Sequence, residues 1–261
     1  MLLVIDVGNT NMVLGVYESD KLMATWRITT SNSRTADEIG IFIHSLFDNS
    51  EISASLVTDA IISSVVPNIM YSLTHGIRKY FGIDPIVVEP GLKTGINLKM
   101  ENPKELGADR LVNMVAAHEL YKGDLIVIDY GTATTFDVIN AKGEFLTGIT
   151  APGIQVCAEA LFLKAAQIPK VEIKNPGGII AKNTVTSLQA GILFGHIGET
   201  LYIVGRIKKD LPEYGFKVVA TGGLARTFEE VEHMFDFLDP VLTLQGLRII
   251  FEKNKRVQKK D

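Results

Sequence analysis

The sequence is poor in the residues on which several classes of protein depend. A single cysteine, Cys157, excludes an internal disulfide and any metal site built from several cysteines. Lys and Arg number 26 against 30 Asp and Glu, and this net charge of −4 gives no electrostatic footprint for nucleic acid or an anionic membrane. The five histidines contain no pair at i and i+4, so no helical histidine pair is available to bind a metal.

Long apolar runs are also missing. The N-terminal MLLVI is interrupted by Asp6 and no basic residue precedes it, so we expect no signal peptide. No run approaches the length needed to span a bilayer. Together with the single cysteine, these features lead us to expect a cytoplasmic protein without a nucleic-acid or membrane partner. The one basic cluster, at 253–261, is interpreted as a solvated tail in preference to a docking patch.

Two common nucleotide-binding motifs, the P-loop and the G-x-G-x-x-G turn, do not occur, but a different short pattern occurs twice. Residues 4–11 have the sequence VIDVGNTN and residues 127–134 have VIDYGTAT. In each, an apolar strand ends in an aspartate, and a spacer, a glycine and small hydroxyl or amide residues follow. The glycine lets backbone N–H groups approach an anion closely, and the acid can hold a hydrated cation that bridges to phosphate.

The repetition predicts a polyphosphate site. We expect the two turns to face each other across a cleft and to hold the phosphates from both sides. The alternative is a pair of ordinary β-hairpins, each with an incidental aspartate, and the matching contexts of the two copies favour the first interpretation. The TGG at 221–223 follows an apolar strand and could present backbone to a nucleoside, although such glycines also serve simply as turns.

Apolar periodicity predicts a β-β-β-α-β-α order in both halves of the chain. The first half has strand patterns at 1–7, 12–18, 21–30, 59–66 and 84–90 and helix patterns at 35–47 and 67–82. The second has strand patterns at 124–130, 132–140, 143–151 and 216–223 and helix patterns at 111–121, from about 184, and at about 240–254. The fold class is therefore α/β with two duplicated lobes, each a mixed β-sheet flanked by helices. We place the N-terminal lobe at 1–100 and the C-terminal lobe at 101–261.

A third segment, ENPKELGADR at 101–110, supplies two of the three things that phosphoryl transfer to an alcohol requires, namely a base and a positive charge, the third being a held phosphate. Asp109 and Arg110 lie where a glycine-containing loop enters a helix, so backbone amides at Gly107 and Ala108 could bind an anion. An aspartate beside an arginine supplies a base and a positive charge. From the residues alone, it is equally reasonable that Asp109 only caps the helix at 110–121.

The duplicated D-x-G turns resemble those of the actin–hexokinase–Hsp70 superfamily, whose lobes are ribonuclease H-like and bind ATP in the cleft between them. GADR, DYGTAT and TGG together resemble the type III pantothenate kinases, over nearly the whole chain. This resemblance implies ATP-dependent phosphorylation of pantothenate to 4′-phosphopantothenate, the first step of coenzyme A biosynthesis. Two alternatives remain: a non-catalytic accessory transcriptional regulator of the same family, or another small-molecule kinase of the superfamily, such as a sugar or acetate kinase.

The resemblance also implies roles for individual residues. Asp109 would be the general base, Asp6 would lie near the Mg²⁺ of Mg-ATP, and Asp129 would bind a monovalent cation, K⁺ or NH₄⁺. The residues implied in pantothenate binding are Met100, Gly107, Ala108, Asp109, Arg110 and Thr184. The residues implied in ATP binding are Asp6, Val7, Gly8, Asn9, Thr10, Asn11, Met12, Val13 and Thr132.

Met100 and Thr184 bear on the substrate contacts and on the partners of the protein. Met100 stands where the family often has tyrosine, and methionine cannot donate a hydroxyl hydrogen bond. In the family, the counterpart of Thr184 reaches the substrate across a dimer interface, so we expect a homodimer. Ala190, Gly191, Gly195 and Gly198 lie in a long apolar helix pattern, which we interpret as a dimer seam in preference to intramolecular packing.

Overall fold

The structure, a computed structural model, describes residues 1–165 and 167–258. The chain divides into two compact units. Unit 1 contains Met1–Ile96, Glu101–Ala116 and the residues from Leu242 onward, and unit 2 contains Asn97–Met100 and Ala117–Val241. Among the described residues, no helix combines the length and the apolar character that crossing a membrane requires.

Unit 1 is built on a mixed sheet flanked by helices. Its strands are β1 (Leu2–Val7), β2 (Asn11–Glu18), β3 (Lys21–Thr29), β4 (Asp59–Ser64) and β5 (Ile86–Val87). Its helices are α1 (Ala36–Asp48), α2 (Pro67–Phe81), the first part of α3 (Ala108–Tyr121) and α7 (Leu242–Gln258). The strand order is β3-β2-β1-β4-β5, with β1 antiparallel to β2 and parallel to β4.

Local sequence signals explain the helix boundaries in unit 1. Thr35 and Glu38 form a capping box before α1, in which the Thr35 hydroxyl accepts from the Glu38 N–H and the Glu38 carboxylate accepts from the Thr35 N–H. Pro67 opens α2, and Gly82 closes it in the left-handed conformation, with φ of 67°. These helices and the strands around them confirm the predicted α/β pattern of the first half.

Unit 2 repeats the sheet of unit 1 and adds one strand. Its strands are β6 (Asn97–Leu98), β7 (Leu125–Tyr130), β8 (Ala133–Ile139), β9 (Glu144–Pro152), β10 (Lys217–Gly222) and β11 (Phe237–Leu238). Its helices are the second part of α3, α4 (Ile154–Lys164), α5 (Thr184–Asp210) and α6 (Ala225–Glu229). The order β11-β10-β7-β8-β9-β6 reproduces that of unit 1 around the central β7, so the predicted duplication is confirmed.

The division into units differs from the predicted lobes, 1–100 and 101–261. One apolar cluster explains the difference, because Val112 and Val115 of α3 and Leu244 and Leu247 of α7 pack with Val4 of β1. These helices therefore cover one face of the first sheet, although they lie late in the sequence. Helix α7 also includes residues 253–258 of the predicted tail, and 259–261 lie outside the described residues.

Four elements of unit 2, β6, α4, α6 and β11, are not among the predicted patterns. Apolar periodicity predicts no element in the stretch that forms helix α4, because its apolar residues do not gather on one face. Strand β6 lies between the strand pattern at 84–90 and the helix pattern at 111–121, and it pairs in parallel with β9. A two-residue strand has too few residues to show a period of two.

Candidate active site

The first turn connects β1 to β2 through Gly8, Asn9 and Thr10. The Gly8 N–H donates to the Asn11 carbonyl at 3.0 Å, so this N–H is already used inside the turn. An anion bound at this turn would therefore accept hydrogen bonds from the residues that follow Gly8. Asn9 and Thr10 are exposed. Thr30 braces the turn from the end of β3, since its N–H donates to the Thr10 carbonyl at 3.0 Å and its hydroxyl to the Gly8 carbonyl at 2.7 Å.

The predicted ATP-binding residues of this turn divide into two groups. The side chains of Val7 and Met12 are buried in the apolar core of unit 1, so only their backbone atoms can meet a nucleotide. Val13 is half-buried and packs against the apolar cluster on the opposite face of the sheet. The polar atoms that remain at the surface of the turn are those of Asn9, Thr10 and Asn11.

Asp6 is the half-buried acid at the end of β1. In the parallel pairing of β1 with β4 it lies opposite Ser63, whose hydroxyl donates to Asp6 Oδ1 at 2.5 Å. Residues alternate between the two faces of a strand, so Asp6 shares its face with Val4. Val4 belongs to the apolar cluster that contains the beginning of α3, which places Asp6 on the sheet face that α3 covers.

Asp109 lies in the first turn of α3, one residue after the helix begins. The preceding loop reaches the end of the sheet, because a Cβ added to Gly107 would lie 3.5 Å from Val65, whose N–H donates to the Val7 carbonyl at 3.0 Å. The same Cβ would lie 2.5 Å from Asp109 Oδ1, so a larger residue at position 107 would displace the carboxylate. Unit 1 thus brings the predicted base next to the strand ends that carry Asp6.

Burial raises the pKa of Asp109, and this effect exceeds the opposing hydrogen bond from the Arg110 N–H and the charge of Arg110. The Arg110 N–H donates to Asp109 Oδ1 at 2.7 Å, so the carboxylate does satisfy part of the helix N-terminus. A residue that serves only as a cap gains nothing from being desolvated. A desolvated carboxylate beside an arginine is more typical of functional sites.

The second turn connects β7 to β8 and is built differently. The Gly131 N–H donates to the Ala133 carbonyl at 3.1 Å, and the Gly153 N–H donates to the Thr132 carbonyl at 3.0 Å. Gly153 is the N-cap of α4 and lies so close to the turn that a Cβ on it would be 2.3 Å from the Gly131 carbonyl oxygen and 2.5 Å from that of Thr132. Helix α4 therefore begins against the predicted ATP-contacting residue, Thr132, whose side chain is exposed.

Asp129 ends up beside the TGG segment. Gly222 has φ of 100°, and a Cβ on it would lie 2.7 Å from Asp129 Oδ1 and 2.6 Å from the backbone of Tyr130. Glycine is therefore needed at this position for both conformation and space. The TGG glycine therefore packs directly against the carboxylate of Asp129 and the backbone of Tyr130, in addition to making a turn.

The remaining predicted residues lie at the surface or partly so. Met100 and Arg110 are half-buried, and Ala108 is the first residue of α3. Thr184, the first residue of α5, is exposed next to the N-cap Asn183. Gly191, Gly195 and Gly198 lie farther along α5, where an added Cβ would meet no atom of the described part of the chain within 4 Å.

Three residues that surround the turns were missed by sequence reasoning: Ser63, Thr30 and Gly153. Ser63 and Thr30 acquire their contacts through strand pairing, for which the sequence carries no local signal. Gly153 does have one, because a glycine directly after a strand and a proline suggests a constrained approach, but its target could not be named.

The candidate cation ligands at the two turns are single carboxylates, which suit cations that take most of their ligands from elsewhere. Among the described residues, no cluster of three or more His, Cys, Asp or Glu side chains is arranged to hold a metal ion. A lone carboxylate such as Asp6 suits Mg²⁺ that keeps several waters and binds substrate phosphates. Asp129 likewise offers one carboxylate, so a cation held there would take its other ligands from outside that side chain.

Comparisons with known proteins give a family and a fold. A family model described as type III pantothenate kinase matches residues 2–206. A Baf family transcriptional activator from Campylobacter jejuni is 18% identical with a TM-score of 0.58, covering 97% of this chain and 99% of that one. A 2-dehydro-3-deoxygalactonokinase from Sinorhizobium meliloti is 13% identical with a TM-score of 0.57, covering 97% and 98%. An N-acetylglucosamine kinase from Porphyromonas gingivalis is 13% identical with a TM-score of 0.50, covering 98% and 100%.

Proposed function

The chain belongs to the type III pantothenate kinase family, and on that basis we propose that it transfers the γ-phosphoryl group of ATP to pantothenate, giving 4′-phosphopantothenate for coenzyme A biosynthesis. Family membership supports an ATP-dependent kinase, whereas the structural neighbours, all at 18% identity or less, support only the fold. Similarity to an activator at that level does not favour a regulator over an enzyme.

The observation that carries the proposal is the position of Asp109. Its loop contacts Val65 at the end of β4, and Val65 is hydrogen-bonded to β1 directly before the first turn. A base must lie within reach of the hydroxyl that attacks the phosphoryl group, and its pKa matters second. Because burial raises the pKa of Asp109, its carboxylate is also a better proton acceptor than an exposed aspartate.

In this proposal the protein positions the reactants and neutralises charge, as phosphoryl transfer requires. The turn from Asp6 to Val13 would contact the phosphates of ATP, and Asp6 would help to hold the Mg²⁺ that accompanies ATP. Thr132 would make a separate ATP contact, and Asp129 would hold K⁺ or NH₄⁺. When bound, Mg²⁺ would neutralise part of the phosphate charge. Gly107, Ala108 and Arg110 orient the pantothenate carboxylate and hydroxyls, and Met100 fills space without a hydrogen bond.

We further propose that the working form is a homodimer in the cytoplasm. The glycines on α5 present open backbone, and Leu201 and Tyr202 on the same helix are 45% and 71% exposed. Exposed apolar side chains beside small residues favour close approach of another helix. Thr184, at the start of α5, would then serve the substrate site of the second copy.

The test is turnover by the purified protein with ATP, Mg²⁺ and pantothenate in the presence of K⁺, NH₄⁺ or Na⁺. We expect ADP and 4′-phosphopantothenate, identified by mass spectrometry, with K⁺ or NH₄⁺ but not Na⁺. Asp109→Asn should lower kcat by roughly 10²- to 10⁴-fold, the range for removal of a general base, while pantothenate binding measured by calorimetry persists. Asp20→Asn, an exposed acid in the β2–β3 turn of the same unit, is the matched control and should be fully active.

Two outcomes would contradict the proposal. Turnover of another alcohol but not of pantothenate would refute the substrate. Full activity of the Asp109→Asn variant would refute the base.

A further inference from the structure

We propose that Ser63 is a positioning residue, which holds the Asp6 carboxylate in the orientation that Mg²⁺-dependent nucleotide binding requires. This inference rests on the proposed function, since it deepens the role given there to Asp6. Ser63 itself need not touch the nucleotide or the metal.

The contact is short, and its donor is buried. Ser63 Oγ lies 2.5 Å from Asp6 Oδ1, and the serine is fully buried, whereas Asp6 is half-buried. The two residues are 57 positions apart and are brought together by the parallel pairing of β1 with β4. A hydroxyl donating to a carboxylate forms one of the stronger classes of hydrogen bond, and burial of the serine keeps water from competing at the donor.

The geometry constrains one oxygen of Asp6. With Oδ1 held by Ser63, rotation of the carboxylate about its last torsion is restricted, and Oδ2 keeps a defined direction. A carboxylate that binds a hydrated Mg²⁺ must accept from waters whose places are fixed by octahedral geometry. A free carboxylate would lose rotational freedom on binding, whereas a carboxylate that is already oriented avoids that cost.

The strand pairing of the second sheet places a hydroxyl residue opposite the strand-end acid, as in the first sheet. Asp129 lies opposite Thr221 in the parallel pairing of β7 with β10, as Asp6 lies opposite Ser63, and Thr221 is also buried. A small hydroxyl residue thus occupies the same position beside the strand-end acid in both units. The other buried positions of β4, from Ala60 to Ile62, are apolar, so Ser63 is the polar residue among the four buried positions of this strand.

The experiment measures nucleotide binding, without turnover. ADP affinity is determined by calorimetry with Mg²⁺ and with EDTA, and the ratio of the two is the Mg²⁺-dependent gain. In Ser63→Ala we expect this gain to fall about tenfold, the effect of losing one hydrogen bond to a charged group, with affinity in EDTA unchanged. Ser63→Thr, which copies Thr221, should restore the gain. Ser64→Ala is the matched control, because the Ser64 hydroxyl bonds the backbone of Val66.

The variants separate failure of this inference from failure of the proposed function. A wild-type protein without a Mg²⁺-dependent gain, or an Asp6→Asn variant that keeps it, would refute the role of Asp6 and the inference with it. An Asp6→Asn variant that loses the gain while Ser63→Ala keeps it would refute the inference alone. Equal loss of affinity by Ser63→Ala in Mg²⁺ and in EDTA, or the same loss in Ser64→Ala, would show a merely structural role and also refute it.

Discussion

The turn after β1 and the turn after β7 have the same sequence pattern and the same place in sheets of the same strand order, yet the protein supports them differently. In unit 1, Thr30 braces the turn with a backbone and a side-chain hydrogen bond, and the chain then continues to a loop. In unit 2, the equivalent position is Gly153, which makes only the backbone hydrogen bond and begins α4 at once.

The neighbours of the two acids are similar in register but differ in packing. Asp6 accepts from the buried Ser63 hydroxyl, and Asp129 lies opposite the buried Thr221 and directly against Gly222, on which a Cβ would be 2.7 Å from Asp129 Oδ1. An oriented carboxylate suits a hydrated ion of strict geometry such as Mg²⁺. The two units therefore share a strand framework but differ in the residues that pack against each turn.

The largest expected effect that bears on this comparison comes from Gly153→Ala. Its Cβ would lie 2.3 Å and 2.5 Å from the carbonyl oxygens of Gly131 and Thr132, which are backbone atoms and cannot move aside cheaply. We expect a loss of about 3 kcal/mol in the free energy of unfolding, at the upper end for overpacking. Gly131→Ala is the matched control, because its Cβ would be 3.5 Å from its nearest neighbour.

Denaturant unfolding followed by circular dichroism checks this prediction. If Gly153→Ala and Gly131→Ala were equally stable, the close approach of α4 to the second turn would be wrong, and the proposed difference between the turns would disappear.

How much of this arrangement the sequence predicts depends on the range of the interactions. The strand–Asp–x–Gly turns and the helices at 35–47 and 67–82 are local patterns, and all were predicted correctly. The packing of α3 and α7 on the first sheet is not a local pattern, because periodicity shows that a helix has an apolar face but not which sheet covers it. Ser63 lies outside the predicted site for the same reason, since only strand register brings it to Asp6.

A smaller effect is expected in unit 1 from Thr30→Val, which removes the hydroxyl but keeps the shape and the backbone hydrogen bond to Thr10. The lost bond to the Gly8 carbonyl is 2.7 Å long and partly buried, and such a bond contributes about 1 kcal/mol. We therefore expect a drop of that size in the free energy of unfolding and weaker ATP binding. Thr29→Val, at the exposed neighbouring position, is the control. Unchanged stability and ATP affinity would mean that the side-chain brace does not distinguish the two turns.

The smallest expected effect concerns Asp109, a buried acid that lies beside the strand ends of unit 1. Burial raises the pKa of Asp109 in the folded protein above its unfolded value of about 3.9. The favourable contribution of such a group is present only below the unfolded pKa and is lost as pH rises through the folded pKa. At neutral pH the wild type therefore carries a desolvated charge, which Asp109→Asn removes while an amide oxygen can still accept from the Arg110 N–H.

Asp109→Asn should consequently raise Tm slightly at pH 7.5, and this gain should shrink as pH falls toward 4. Calorimetric scans of both proteins across that range measure the difference. A lower Tm of the variant at neutral pH would mean that Asp109 acts mainly as a helix cap, because a cap stabilises most when it is charged. A gain in stability together with the loss of turnover would instead mark Asp109 as a residue kept for chemistry at a cost to the fold, which is the relation expected for active sites.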